Sequence, residues 1–133
     1  MYRIAVLYDD ERWCLALQRF SRNELEILFF SYAEPLVENL VQQIEQYDLI
    51  LVDFSLAPRH SLDEYINSRQ VIQYLRTTLS RPPLLVLVTA FISKNEIKKG
   101  RILCPEADDF LAKDAGIDEN LQQIRLLLKS KNP

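Results

Sequence analysis

Acidic, hydroxyl and basic side chains occur where short apolar runs of this sequence end. Asp9 and Asp10 follow the first run, and Asp53 closes the third. Thr89 follows the fourth run, and Lys113 follows the fifth. Three carboxylates, one hydroxyl and one ammonium group suit phosphoryl-transfer chemistry, provided that the fold brings them together.

The charges of this set indicate how it would work. Carboxylates brought close together repel, so near neutral pH they need a neutralising cation or raised pKa values. An oxygen-only ligand set favours a hard ion, and Mg²⁺ also binds phosphate oxygens. A carboxylate such as Asp53 can attack phosphorus and form an aspartyl phosphate. Mg²⁺, the Lys113 ammonium and the Thr89 hydroxyl can each stabilise one equatorial phosphoryl oxygen.

The elements that must position these groups alternate between strand-like and helix-like segments. Short apolar runs rich in β-forming residues predict strands at residues 3–8, 25–32, 49–54, 84–88 and 109–112. Helical spacing, a leading proline or a capping box predicts helices at residues 11–20, 35–46, 61–79, about 93–100 and 117–129. Trp13, Leu17 and Phe20 are expected on the inner face of the first helix.

This alternation predicts an α/β fold. Strands that alternate with helices favour a parallel sheet with right-handed crossovers and helices on both faces. Five such strands favour the flavodoxin-like, doubly wound order 2-1-3-4-5. Ligands of such sheets bind beyond the carboxyl ends of the strands, at the switch point between strands one and three. We therefore expect Asp9, Asp10 and Asp53 to meet there.

The bulk composition narrows the class of protein. The 133 residues suit a single domain, 1–133, and an apolar fraction of 48% is enough for a buried core. The net charge is −3 without clustered positive charge, which disfavours direct nucleic-acid binding. The apolar runs are too short for a membrane span or a signal peptide. We expect a soluble, cytoplasmic protein whose Cys14 and Cys104 are reduced and buried.

Four segments resemble those of response-regulator receiver domains, the phosphoacceptor modules of two-component signalling. They are residues 6–11 (VLYDDE), 47–53 (YDLILVD), 85–90 (LVLVTA) and 106–113 (EADDFLAK). The resemblance covers essentially the whole chain. It implies that the protein is a receiver that assists its own phosphorylation and dephosphorylation, and that it is not an enzyme.

The resemblance also implies a role for each candidate residue. Asp53 would be the phosphoacceptor, and Thr89 and Lys113 would contact the phosphoryl group. Asp10 would bind Mg²⁺ directly and Asp9 through water. The full expected ligand set is Asp9, Asp10, Asp53 and the main-chain carbonyl of Ser55.

Partners are implied in the same way. A histidine kinase or a histidine phosphotransfer protein would supply the phosphoryl group, and a downstream protein would read the altered surface. The face formed by the fourth predicted helix, the fifth strand and the last helix also allows a homodimer. Phe110 stands where the family carries an aromatic that reports the switch, and it fits a plain core position equally well.

Three features depart from the family pattern. Asp114 replaces the proline that usually follows the lysine. The segment that resembles the third helix, residues 68–76, begins about seven residues late, which is roughly two helical turns. His60 lies in this insertion and is interpreted as a surface loop residue. Pro105 ends a fourth helical region that lacks the usual small residues, so an unusual partner surface is expected.

Two other functions stay open. A pseudo-receiver would bind a partner without phosphorylation, and Asp114 and the insertion are compatible with it. A Mg²⁺-dependent phosphohydrolase also uses an aspartate nucleophile at a strand end. Such enzymes commonly carry a second aspartate two residues later, where this chain has Ser55.

Overall fold

A parallel sheet of five strands forms the centre of the structure. The computed structural model describes residues 1–8, 11–30, 47–53, 68–89 and 104–131. Its elements are β1 (Tyr2–Leu7), α1 (Glu11–Ser21), β2 (Leu25–Phe30), β3 (Leu49–Asp53), α2 (Ser68–Thr78), β4 (Leu84–Thr89), β5 (Asp109–Ala112), a short 3₁₀ helix (Lys113–Ala115) and α3 (Ile117–Lys131).

The strand order is β2-β1-β3-β4-β5, and every neighbouring pair is parallel. This confirms the order predicted from the sequence. All five residues of the central strand β3 are buried. Its continuous apolar run suits a strand that is covered on both faces, because side chains of a strand point alternately to opposite faces.

Side chains on the two faces of the sheet form two separate hydrophobic clusters. One face carries Ile50 and Val52 of β3 and packs against α2. The other face carries Leu49 and Leu51 and packs against α1 and α3. Helices therefore cover both faces, as the alternating sequence pattern predicts. Among the described helices, none is long and apolar enough to cross a membrane.

The inner face of α1 differs from the prediction at one position. Cys14, Leu17 and Ser21 are buried, whereas Phe20 is 54% exposed. At about 100° per residue, Phe20 lies roughly 90° from the centre of the buried stripe. The Arg19 guanidinium lies 5.8 Å from the centroid of the Phe20 ring, on the exposed side of the helix. Both cysteines are free and buried, as expected.

The element bounds agree with the predictions to within a few residues where the structure describes them. Strand β5 has the predicted bounds, and β4 is one residue longer because Thr89 pairs with Ala112. Strand β1 begins one residue earlier because Tyr2 pairs with Leu25. Helix α3 continues two residues further than predicted, to Lys131. The predicted helices at 35–46 and 93–100, with residues 31–32, 54 and 61–67, lie outside the described residues.

A polar network joins α2 to the start of β4 and to the segment before β5. The Asp108 carboxylate accepts hydrogen bonds from the Leu85 N–H at 2.7 Å and from the Arg76 guanidinium at 2.8 Å. Arg76 Nε also donates to the Glu106 carbonyl at 2.7 Å. The Gln73 amide donates to the Glu106 carboxylate at 2.8 Å. These bonds lie at the amino-terminal ends of β4 and β5, away from the edge where the candidate site lies.

Candidate functional site

Parallel pairing brings Asp53 and Lys113 to one edge of the sheet. Asp53 is the last residue of β3 and is in register with Val88 of β4. Ala112, the last residue of β5, is in register with Thr89, and Lys113 follows it. Because the carboxyl ends of parallel strands share one edge, the ends of the three strands lie side by side.

Asp53 and Lys113 form a buried ion pair at this edge. The Lys113 Nζ atom donates a hydrogen bond to Asp53 Oδ2 at 2.9 Å. The side chains of Lys113 and Asp53 are only 11% and 6% exposed. A charge removed from water this far is unfavourable unless an opposite charge and hydrogen bonds compensate it. The pair therefore neutralises a carboxylate that the central strand holds inside the protein.

The alternation of side chains explains the face of the sheet to which Asp53 points, and the 3₁₀ helix after β5 carries the Lys113 that meets it there. Leu49 and Leu51 point to the face covered by α1 and α3, and Asp53 is the next residue in that alternation. Leu111 of β5 also points to that face, and Lys113 is two residues further on. Asp53 thus continues an apolar face beyond its last hydrophobic position, and Lys113 meets it there from the residue that follows β5.

Trp13 of α1 is the third side chain at this site. The Lys113 ammonium lies 5.8 Å from the centroid of the Trp13 ring, within cation–π distance. Trp13 packs at the edge of the hydrophobic cluster on the same face. From the sequence it was interpreted only as an inward helix residue. Its position in the first turn of a helix that begins beyond β1 was the available signal that it lies near the strand ends.

A short turn fixes the backbone of Lys113. Residues Lys113–Ala115 form a 3₁₀ helix directly after β5, and the Gly116 N–H donates to the Lys113 carbonyl at 3.2 Å. Gly116 has φ +91°, a left-handed conformation that favours glycine. Asp114 is exposed in this turn. Lys113 thus reaches Asp53 with Asp114, and not the usual proline, as its neighbour.

The structure places the remaining predicted site residues only in part. The backbone of Thr89 ends β4 beside Ala112, but its side chain lies outside the described part. Asp9, Asp10 and Ser55 lie outside the described residues, as does His60. On either side of the acidic pair, β1 ends beside Val52 of β3 and α1 begins at Glu11.

The metal expectation rests on the donor chemistry of Asp53. Within the described ranges, no cluster of three or more histidine, cysteine or acidic side chains could hold a metal ion. Of the expected ligands, only Asp53 is described, and its carboxylate is the kind of oxygen donor that Mg²⁺ prefers. Asp53 therefore fits Mg²⁺ by chemical type, and the full ligand set stays a prediction.

Phe110 and Cys104 are buried in the cluster on the opposite, α2 face of the sheet. Phe110 is 2% exposed, so it fills a core position in this structure. Burial raises the pKa of the Cys104 thiol above its usual range, and the neighbouring Glu106 carboxylate raises it further. This thiol is therefore held in its neutral form, which suits a small core side chain.

Comparison with solved structures gives matches to receiver domains along nearly the whole chain. The signal receiver domain of a Luxo repressor protein from Vibrio parahaemolyticus matches with a TM-score of 0.75 at 18% identity, covering 97% of this chain and 91% of that one. The receiver domain of the Francisella response regulator 1452 gives 0.74 at 20% identity, covering 99% and 100%. The BeF3-activated N-terminal receiver domain of Klebsiella pneumoniae RstA gives 0.71 at 20% identity, covering 96% and 98%.

No family model matches the sequence, and no curated protein matches it. At these low identities, the fold is what this chain shares with the solved structures. The strand order, the parallel pairing and the helices on both faces are those of that fold. The chain has the fold of response-regulator receiver domains.

Proposed function

We propose that this chain is a phosphoacceptor receiver domain of a two-component or phosphorelay pathway, with Asp53 as the acceptor. The observation that carries the proposal is the buried ion pair of Asp53 and Lys113, at the carboxyl edge of a receiver-type sheet. A carboxylate in that position can attack phosphorus. A lysine beside it can stabilise the negative charge on the transferred group.

Phosphorylation begins with one carboxylate oxygen of Asp53. This oxygen forms a bond to the phosphorus of the donor while the bond between phosphorus and the donor atom breaks. From a phosphohistidine, the imidazole leaves with the electron pair of the P–N bond and takes up a proton. Lys113 then contacts a phosphoryl oxygen, where its charge offsets the charge gained, and the Thr89 hydroxyl donates to another oxygen.

Asp9, Asp10, Asp53 and the carbonyl of Ser55 would hold Mg²⁺, which when bound supplies positive charge beside the phosphoryl oxygens. Lys113, in the 3₁₀ helix that follows β5, supplies a second positive charge. The chain acts as a substrate that assists its own phosphorylation and dephosphorylation, not as an enzyme.

The partners follow from this chemistry. A histidine kinase or a histidine phosphotransfer protein supplies the phosphoryl group in the cytoplasm. A downstream protein, or a second copy of the chain, reads the surface near β5 and the last helix. Direct binding to nucleic acid is not part of the proposal, because a net charge of −3 disfavours it.

Intact-mass measurement after incubation with Mg²⁺ and acetyl phosphate or phosphoramidate tests the proposal. The unmodified chain should gain one phosphoryl group, and Asp53→Asn should gain none. Asp118→Asn is the matched control, since it removes the same charge at an exposed position in the first turn of α3. Equal labelling of Asp53→Asn and the control would remove Asp53 from the acceptor role.

The alternative is a pseudo-receiver that binds a partner without phosphorylation. The same ion pair favours the pseudo-receiver in one respect, because Lys113 already neutralises the Asp53 carboxylate, whose side chain is only 6% exposed. A chain that stays unlabelled by small phosphodonors and gains no thermal stability from Mg²⁺ would support this alternative.

A further inference from the structure

The Lys113 ammonium lies close to two side chains from different elements. Asp53 Oδ2 of β3 is 2.9 Å from Lys113 Nζ, and the centroid of the Trp13 ring of α1 is 5.8 Å from it. We propose that Trp13 is a positioning residue, which holds the Lys113 ammonium at Asp53 through the face of its indole. This inference rests on the proposed function, because it assigns Trp13 a part in phosphorylation of Asp53.

The position of Trp13 in α1 and its packing against the sheet hold the ring near Lys113. Helix α1 begins at Glu11, so Trp13 lies in its first turn, close to the carboxyl edge of the sheet. The ring packs against the hydrophobic cluster that α1 and α3 form on that face. Apolar contacts thereby anchor the ring, while the Lys113 ammonium lies 5.8 Å from its centroid.

Holding a lysine matters because the side chain is long and flexible. Lysine loses more rotamer freedom on ordering than most side chains. A lysine that is already fixed over the acceptor does not have to be ordered during phosphoryl transfer, and this preorganisation favours the transition state. With 11% of its side chain exposed and Asp53 Oδ2 at 2.9 Å, Lys113 is held over the acceptor in this way.

The electronic character of the ring distinguishes positioning from simple packing. Attraction between a cation and an aromatic ring arises from the ring quadrupole; it is strongest for tryptophan and weaker for tyrosine and phenylalanine. Leucine is apolar but has no such face. Trp13→Leu should therefore slow labelling of Asp53 by acetyl phosphate by about five- to thirtyfold, the factor expected for a partly desolvated cation–π contact. The labelling rates of Trp13→Tyr and Trp13→Phe should lie between the rates of the unmodified protein and of Trp13→Leu.

A spectroscopic measurement tests the contact without any phosphodonor. Trp13 is the single tryptophan of the chain, so tryptophan emission reports this ring alone. Lys113→Met removes the ammonium and should change the emission intensity of the folded protein. Lys113→Arg keeps a cation at this position, so its emission intensity should stay closer to that of the unmodified protein.

The two measurements separate failure of this inference from failure of the proposed function. Labelling that is equally fast in the Leu, Phe and Tyr variants and in the unmodified protein would overturn the role of Trp13. Emission that is unchanged by Lys113→Met would overturn the contact itself, and the Tyr variant keeps the test valid if Trp13→Leu fails to fold. If neither the unmodified protein nor any variant is labelled, the proposed function fails. The emission measurement alone then decides whether Trp13 holds Lys113.

Discussion

The ion pair between Asp53 and Lys113 joins residues that are 60 positions apart in the chain. It connects the central strand to the 3₁₀ helix after the edge strand β5, through two side chains that are both nearly inaccessible to water. A buried pair of this kind adds little net stability relative to apolar residues, but removing one partner leaves a charge uncompensated. We therefore expect the two charges to be strongly coupled in their effect on folding.

Lys113→Met should lower the free energy of unfolding by about 2 kcal/mol or more, since hydrogen bonds to buried charged groups contribute about that much. The double variant Asp53→Asn/Lys113→Met should recover part of the loss, because neither charge then remains. Urea denaturation of the single and double variants measures this coupling. Lys129→Met, an exposed lysine of α3, is the matched control and should change stability little. Strict additivity in the double variant would contradict the coupling.

Sequence reasoning identifies site residues at the ends of strands, but it misses contacts that a neighbouring helix makes with the site. Asp53 and Lys113 could be predicted because each follows an apolar run, and the parallel arrangement fixes where such runs end. Trp13 could be placed near the strand ends by its position in the first turn after β1, but its contact with Lys113 could not be predicted, because a helical pattern only separates an inner face from an outer one. Its distance of 5.8 Å from Lys113 depends on how α1 lies against β5, which is a tertiary property.

At the scale of elements, α2 is attached to the sheet by polar contacts as well as by its apolar face. Arg76 donates to the Asp108 carboxylate and to the Glu106 carbonyl, while Asp108 also accepts the N–H of Leu85 in β4. One guanidinium thus connects a helix, a strand and the segment that leads into β5. Its loss would leave two acceptors, the Glu106 carbonyl and the Asp108 carboxylate, without this donor.

Arg76→Met should therefore destabilise the protein by about 1–2 kcal/mol, the range expected when hydrogen bonds to partly buried groups are lost. Thermal unfolding followed by circular dichroism measures the effect. Arg81→Met removes the same charge from an exposed position near the start of β4 and should change the midpoint much less. A similar fall of the unfolding midpoint in both variants would mean that the change in net charge, and not the loss of the network, destabilises the protein.

Glu106 makes part of this network sensitive to acid. The hydrogen bond donated by the Gln73 side chain is the main cause that lowers the pKa of Glu106 below its usual range. A carboxyl whose pKa is lowered by folding stabilises the native state above its unfolded pKa of about 4.3, and this contribution is lost as pH falls through the lowered value. Gln73→Leu should thus flatten the loss of stability on acidification.

Urea midpoints measured from about pH 6 to about pH 3 test this expectation, since that range spans the titration of carboxyl groups. Glu24, whose pKa is lowered chiefly by its hydrogen bond with Arg125, should contribute equally to both proteins, so its contribution cancels when the two curves are compared. Parallel curves for Gln73→Leu and the unmodified protein would contradict the role of Gln73.

The elements themselves could be predicted well because their patterns are local. Strands β3 and β5 are short apolar runs, and their ends are fixed by pairing with β4. The exposed position of Phe20 could not be predicted from helical spacing, because that spacing puts Phe20 on the same face as Trp13 and Leu17. Its angle around the helix decides its exposure, and that angle depends on which neighbours define the centre of the face.

At the scale of the whole molecule, folding and ion binding should be linked. If Asp10 and Asp53 share a Mg²⁺ ion, the ion relieves repulsion between carboxylates that only the folded chain brings together. Any ligand selective for the folded state raises stability, by about 1.4 kcal/mol when its concentration is ten times the dissociation constant. Mg²⁺ should therefore raise the unfolding temperature of the unmodified protein.

Asp10→Ala should lose most of this response, while Asp118→Ala, an exposed control in α3, should keep it. Differential scanning fluorimetry over a Mg²⁺ titration provides the comparison. A response in Asp10→Ala equal to that of the unmodified protein would mean that the ion binds elsewhere.

The overall topology could be predicted from the alternation of strands and helices, and the structure confirms it. The effect of a phosphoryl group on the conformation of the whole molecule could not be predicted in this way, because it depends on two conformations of one sequence. Phe110 fills a core position on the α2 face, opposite the face that carries Lys113. Whether that ring moves is a property of the equilibrium between states, which a residue pattern does not encode.

The central claim is that Asp53 carries the phosphoryl group, and the most direct test identifies the modified atom. An aspartyl phosphate is reduced by borohydride to homoserine with release of phosphate, whereas an unmodified aspartate is not. After labelling with acetyl phosphate and Mg²⁺, reduction and peptide mass spectrometry, we expect homoserine at position 53 and unmodified aspartate at Asp48, which lies at the opposite edge of the sheet. Homoserine at another position, or none in protein that has gained the phosphoryl mass, would contradict the account.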